Sequence, residues 1–191
     1  MTDTQQEITR LLLATRRRGM EYVVAFLNDN DFFTLPASTR YQNRDMGGLA
    51  NHSLAVYRLA MQFRHEAIAQ HPETETLIPA DSVTVAALLH DTCKVFNYAA
   101  DANDSTTFHH NYRFPVGHGE KSVIALLRCG LELTDEEIMA IRWHMGPYEL
   151  PERELSQERL EYNIAMKRTP LCRLIQKADK EATKQNLESA Q

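Results

Sequence analysis

One stretch constrains the fold more than any other: Val83 to Leu89 is apolar nearly all round, and it runs straight into His90-Asp91. A helix without a polar face needs neighbours on every side, so it belongs at the centre of a helical assembly and not on its surface. The sequence therefore predicts a buried helix from about Ser82 to His90. At its end the core meets a histidine and a carboxylate, two groups that are costly to bury without partners.

Other segments supply the neighbours. Leu49, His52, Val56, Leu59, Phe63 and Ala67 recur in steps of three or four. That spacing predicts a helix starting near Leu49, with the imidazole of His52 pointing at the core. Residues from about Thr4 to Leu27 read as one earlier helix with Ile8, Leu11, Leu12, Val23 and Leu27 inward, and the basic run Arg16 to Arg18 as a solvated face. FFTLPASTRYQNRDMGG follows as a loop. Helices resume near His118. Thr134-Asp135-Glu136-Glu137 is a capping-box pattern, predicting a helix that runs to about His144 and stops at Gly146-Pro147. Another starts near Ser156. Thr169-Pro170 opens the last helix, whose buried face is Leu171, Leu174, Ile175, Ala178 and Ala182. Asp179 lies one turn after Ile175, on or beside that face.

One region breaks the helical pattern. Phe96 and Tyr98, then Phe108, His110, Tyr112 and Phe114, alternate at period two around ADANDS. This predicts a small β-hairpin or flap near residues 96–114. Glycine and proline are sparse, seven of each, which favours helix elsewhere. The expected architecture is all-α: one domain over residues 1–191, with 1–46 as an N-terminal helix and loop packed on it.

Composition narrows the function. Hydrophobic residues make up 43% and charged residues 25%, ordinary values for a folded chain. The net charge of -5 lacks the basic surplus of a nonspecific nucleic-acid binder. Three cysteines, Cys93, Cys129 and Cys172, form no C-x-x-C pair and suit a reducing compartment. MTDTQQEITR has no apolar signal-peptide core, and no apolar run approaches the ~18 residues of a membrane span. The cytoplasm is the expected compartment, with no membrane partner and the oligomeric state left open.

His52, His90 and Asp179 each fall on an apolar helix face, and Asp91 directly follows a buried run. Taken singly, each has an ordinary explanation: a hydrogen-bonded core histidine, a helix cap, a carboxylate paired with Lys177 or Lys180. Several such groups on different helices point instead to a shared cation. Imidazole with carboxylate suits Fe, Mn, Zn, Ni or Co better than Ca.

This set resembles the HD superfamily of metal-dependent phosphohydrolases. The H…HD…D pattern reads NHSLAVYRLA (His52), ALLHDTCKV (His90, Asp91) and LIQKADKEA (Asp179), spanning roughly Gly47 to Lys184. The resemblance implies an HD-domain helical bundle with His52, His90, Asp91 and Asp179 at one metal. GHGEKSVIAL (His118) and AIRWHMG (His144) match the two further histidines of two-metal members. They imply a second ion held by Asp91, His118 and His144, with Asp91 bridging. Two divalent transition-metal ions are then expected, Fe or Mn favoured, with Zn, Ni, Co or Mg as alternatives. The sequence departs from many members at Thr92-Cys93, where an aliphatic residue and glycine are common.

The implied reaction is hydrolysis of a phosphomonoester or phosphodiester, with a nucleotide as the expected substrate. Asp91 and Lys94 are the expected catalytic residues. Lys94 lies one helical turn after Asp91, a position from which it can hold phosphate. Lys121, Arg142, Arg113 and Tyr112 are further candidate substrate contacts, and His109 and His110 candidates for the mouth of the site. His65 and His71 are expected to be exposed and idle. Two alternatives stay open: a diiron oxygenase of a small substrate, and a non-catalytic module that senses a nucleotide.

Overall fold

The computed structural model describes residues 1–38, 46–101, 104, 107–111, 113–150 and 156–189. Its helices are α1 (Asp3–Ala14), α2 (Met20–Asp29), α3 (Gly48–Gln70), α4 (Thr74–Leu77), α5 (Ala80–Leu89), α6 (His118–Arg128), α7 (Asp135–Arg142), α8 (Gln157–Arg168) and α9 (Pro170–Ser189). Strands β1 (Tyr98–Ala100) and β2 (Phe108–His110) form the hairpin. Two short 3-10 turns, Thr92–Phe96 and Gly146–Glu149, follow α5 and α7. The all-helical class with a small hairpin is as the sequence predicts.

α5 is the axis of the bundle. Every residue from Ser82 to Leu89 is buried, and α1, α3, α7 and α9 all pack on it. The predicted stripes point inward: Leu49, His52 and Val56 of α3, and Leu171, Leu174, Ile175, Ala178 and Ala182 of α9, are buried. Ile8 and Leu12 of α1 and Val23 and Leu27 of α2 join the same apolar cluster. The capping box forms as read: Thr134 Oγ accepts from the Glu137 N–H, and the Glu137 carboxylate accepts from the Thr134 N–H.

The N-terminal region departs from expectation. One helix over 4–27 is replaced by two, α1 and α2, because the chain turns back at 15–19. Arg16 (φ 53°) and Gly19 (φ 85°) adopt left-handed conformations there. A Cβ on Gly19 would lie 2.2 Å from the Gly130 carbonyl oxygen, so only glycine permits that approach. Nor is the basic run a solvated face throughout. Arg17 forms a bidentate pair with the buried Glu137 at 2.5 and 2.9 Å, while Arg18 pairs with Glu132 at the surface. α4 was not foreseen, and α7 ends at Arg142, leaving His144 in the turn beyond it.

The hairpin is antiparallel, with Tyr98 opposite His110 and Ala100 opposite Phe108. Phe96 and Phe114 pack edge to face at its base, 5.9 Å apart. No helix among the described residues is long and apolar enough to cross a membrane.

Candidate metal centre

Five chain segments meet at the end of α5. His52 comes from the second turn of α3, His90 and Asp91 from the exit of α5, His118 from the first residue of α6, and His144 from the turn after α7. Asp179 approaches from the middle of α9. Two local features bring them together. The Cys93 N–H donates to Ser122 Oγ at 3.0 Å, fastening the turn after Asp91 onto α6. Gly119 sits so close to the end of α7 that a Cβ there would lie 2.2 Å from the Arg142 carbonyl oxygen. That approach sets His118 beside His144, with ring centroids 5.3 Å apart. His90 lies between His144 and His52, at 4.7 and 5.4 Å, so the four imidazoles form a continuous row.

Asp91 is the hub, and its two oxygens face different partners. Oδ1 accepts from His118 Nε2 at 2.6 Å and lies 3.5 Å from His144 Nε2. Oδ2 accepts from Lys94 Nζ at 2.6 Å and lies 3.4 Å from His90 Nε2 and 3.9 Å from His52 Nε2. Asp179 Oδ1 takes a hydrogen bond from His52 Nε2 at 3.0 Å and lies 3.9 Å from His90 Nε2.

Second contacts fix two of the rings. His90 Nδ1 meets the Ala87 carbonyl at 2.8 Å, and His144 Nδ1 meets the Ile141 carbonyl at 2.7 Å. A carbonyl only accepts, so both Nδ1 atoms carry the proton, and each Nε2 presents its lone pair to the cluster. Both Nε2 atoms are buried without a hydrogen-bond partner among the described residues. Lone pairs left unmatched in a core cost free energy unless something is there to accept them. A cation is such an acceptor, and an imidazole held by a carbonyl at its other nitrogen is the usual metal-ligand arrangement. The donor set therefore fits a transition metal. Three groupings have ligand atoms within 4.8 Å of one another: His52 with His90 and Asp91, His90 with His144 and Asp179, and Asp91 with Cys93 and His118.

The charges agree with the geometry. Burial pushes the Asp91 carboxyl up, but the Lys94 ammonium, the imidazoles around it and the hydrogen bond from His118 outweigh it and hold its pKa well below the usual carboxylate range. Burial also raises Asp179, yet the His52 hydrogen bond and the imidazoles bring it down to about 2. Both are thus ionised and ready to hold a cation. Burial lowers the pKa of His118 and favours its neutral form, against the pull of Asp91. Burial would neutralise Lys94, but Asp91 keeps it charged and raises its pKa. The Cys93 thiol is pushed up by burial and by Asp91, so it is not a poised thiolate.

A cavity of about 380 Å³ opens over this cluster, lined by His52, Asp91, Lys94, His118 and Asp179 and, from the hairpin, Tyr98. The other candidate contacts lie elsewhere. Lys121 is buried against Asn97 Oδ1 at 2.6 Å. Arg142 pairs with Glu120 at 2.5 Å and covers the Trp143 ring. Arg113 lines a separate cavity of about 410 Å³ that also takes in Asp29, Asp31 and residues of both hairpin strands. His65 and His71 are exposed, as are His109 and His110 of β2. Tyr112 lies outside the described residues. Sequence reasoning missed Tyr98 as a lining residue, taking it only as hairpin. It also missed Thr183 and Leu187, one and two turns beyond Asp179 on the same helical face, where periodicity could have found them.

A family model described as the HD domain matches residues 49–184. That is most of the chain, and it contains all six histidines and aspartates of the cluster; the chain belongs to the HD domain family. HD domains bind divalent metals and are typically metal-dependent hydrolases. No curated protein and no solved structure matches the chain.

Proposed function

We propose that the protein is a two-metal phosphohydrolase of a phosphomonoester or phosphodiester, with a nucleotide among the candidate substrates. The whole chain acts as one HD domain, residues 1–46 included. In this reading His52, His90, Asp91 and Asp179 hold one ion, and Asp91, His118 and His144 hold the other, with Fe or Mn as first candidates. The observation that carries it is the division of Asp91. One carboxylate oxygen faces His118 and His144 and the other faces His52 and His90, as a bridging ligand requires.

Divalent metal held there supplies Lewis acidity and brings the pKa of water toward about 7. The chain's own residues do the rest. The carbonyls of Ala87 and Ile141 hold the His90 and His144 rings so that their Nε2 atoms stay turned inward. Lys94 is 15% exposed at the cavity wall, close enough to Asp91 to steady it while presenting donors to a phosphate oxygen.

Elemental analysis of gently purified protein, with a phosphatase and phosphodiesterase screen after restoring each metal, tests this reading. Two ions per chain and release of phosphate or a phosphomonoester are expected. Asp91→Asn is expected to lose metal and activity together, since an amide lacks the bridging charge. His118→Ala and His144→Ala are expected to fall toward one ion per chain while the fold survives. A wild-type protein that binds one ion, retained in both histidine variants, would make the centre mononuclear. Oxygen uptake without phosphate release would make it an oxygenase. Tight nucleotide binding without turnover would make it a sensor.

A further inference from the structure

The metal cavity is not closed on all sides. Past Met145, Asp179 and Thr183 it continues into a second, larger groove of about 900 Å³ between the turn Gly146–Glu149, α8 and α9. Its wall is built from Met145, Pro147, Tyr148, Tyr162 and Met166. Tyr162 and Gln176 hydrogen-bond each other at 3.0 and 3.2 Å and fix one side. Gly146 presses onto that pair: a Cβ there would lie 2.2 Å from Gln176 Nε2, and its φ of +63° suits glycine. Two of the lining cations are turned to other work. Lys177 caps the Phe63 ring at 3.9 Å, and Arg173 donates to the Met166 and Lys167 carbonyls. The groove therefore offers ring faces and thioethers, with Gln176 and Lys180 as its polar handles. Tyr148 stands at the rim 85% exposed, a large ring in water beside a cavity it does not close.

From this continuity we infer that the groove takes the organic half of the substrate, and that this half is a planar aromatic group with a hydrogen-bonding edge. The inference rests on the proposed phosphate chemistry of the metal centre. A phosphate and its immediate ester carbon fit the smaller cavity alone. A lining of tyrosine and methionine beside it rewards a flat, polarisable ring and gives a short polyol nothing comparable.

The test uses binding, so that it does not depend on turnover. The Mn²⁺-loaded full chain is titrated calorimetrically with benzylphosphonate, propylphosphonate and a purine nucleoside phosphonate, none of which has an ester to cleave. Benzylphosphonate is expected to bind about tenfold more tightly than propylphosphonate. Tyr148→Ala is expected to remove most of that preference, and Tyr22→Ala, an exposed tyrosine on α2, to leave it intact. The purine compound is expected to bind more tightly than benzylphosphonate, because only it has a hydrogen-bonding edge; weaker binding overturns that part of the inference. Equal affinity for the benzyl and propyl compounds, or a preference untouched by Tyr148→Ala, overturns the inference. The two readings fail separately. Aromatic preference without hydrolysis of any phosphate ester removes the hydrolase and keeps the groove. Equal hydrolysis of aryl and alkyl esters, with equal phosphonate affinities, does the reverse.

Discussion

Two buried polar clusters lie in this bundle, and they are built on opposite principles. At the N-terminal end of α7, Glu137 is fully buried and its charge is matched within the chain. Its oxygens accept two hydrogen bonds from Arg17 and one from the Thr134 N–H. Around Asp91, four imidazoles, two carboxylates and a lysine share a similar depth, yet the Nε2 atoms of His90 and His144 have no hydrogen-bond partner among the described residues. The first cluster is complete as a piece of architecture. The second leaves nitrogen lone pairs turned into a cluster of groups that could hold a cation. Burial alone does not tell a structural ion pair from a functional centre; unpartnered nitrogens on converging imidazoles beside two carboxylates point to the second.

The comparison fails first, if it fails, at Arg17. Arg17→Ala strands the Glu137 charge in the core. The cost is expected near 3 kcal/mol of unfolding free energy, the lower end for a broken buried pair because Arg17 is itself 20% exposed. Denaturant titration of the metal-free protein reads it. Metal stoichiometry, measured on the folded fraction, is expected to stay as in the wild type. A change in metal content would mean that the two clusters are not independent.

Lys94 probes the other cluster. Its ammonium pairs with the buried Asp91, which also accepts from His118, so Lys94→Ala is expected to destabilise the fold, though by less than Arg17→Ala does. Catalysis is expected to suffer as well. Loss of a charge-assisted hydrogen bond to phosphate costs roughly 1.5–3 kcal/mol, or about ten- to a hundredfold in kcat/KM. Retained metal with that drop separates a substrate contact from a ligand-positioning role. An unchanged kcat/KM would leave Lys94 as a counter-charge for Asp91 alone.

The two clusters were not equally legible in the sequence. His52, His90, Asp91 and Asp179 stand on or beside helix faces whose periodicity is local, so a reader of the chain can place them. His118 and His144 sit at a helix start and in a turn, where no period speaks, and only the family resemblance picked them out. The Arg17–Glu137 pair was invisible: its partners are 120 residues apart, and the bend that aims Arg17 depends on Gly19 lying against Gly130. The same bend explains why one helix was expected over 4–27 where two exist. The apolar groove was equally hidden, since it is a space between α8, α9 and a turn and belongs to no single segment. Lys121 and Arg142 were named as candidate contacts because charge near a motif is easy to see; their partners Asn97 and Glu120 are set by packing, which the sequence does not display.

The smallest expected effect sharpens what completeness means in the structural cluster. Thr134→Ala removes the hydroxyl that caps α7 and is expected to cost about 1 kcal/mol, with metal content untouched. Thr134 Oγ accepts from the Glu137 backbone N–H, whereas the Glu137 side chain takes its hydrogen bond from the Thr134 backbone, which alanine retains. The carboxylate thus keeps all its donors in this variant. Thr134→Ala and Arg17→Ala act on different atoms of Glu137, and their costs are expected to add to within about 0.5 kcal/mol in a double-mutant cycle. A much larger coupling would show that the cap hydroxyl orients the carboxylate for Arg17. Glu137 would then depend on a geometry held jointly, as Asp91 does, and the contrast between the two clusters would narrow to the presence of unmatched nitrogen lone pairs in only one of them.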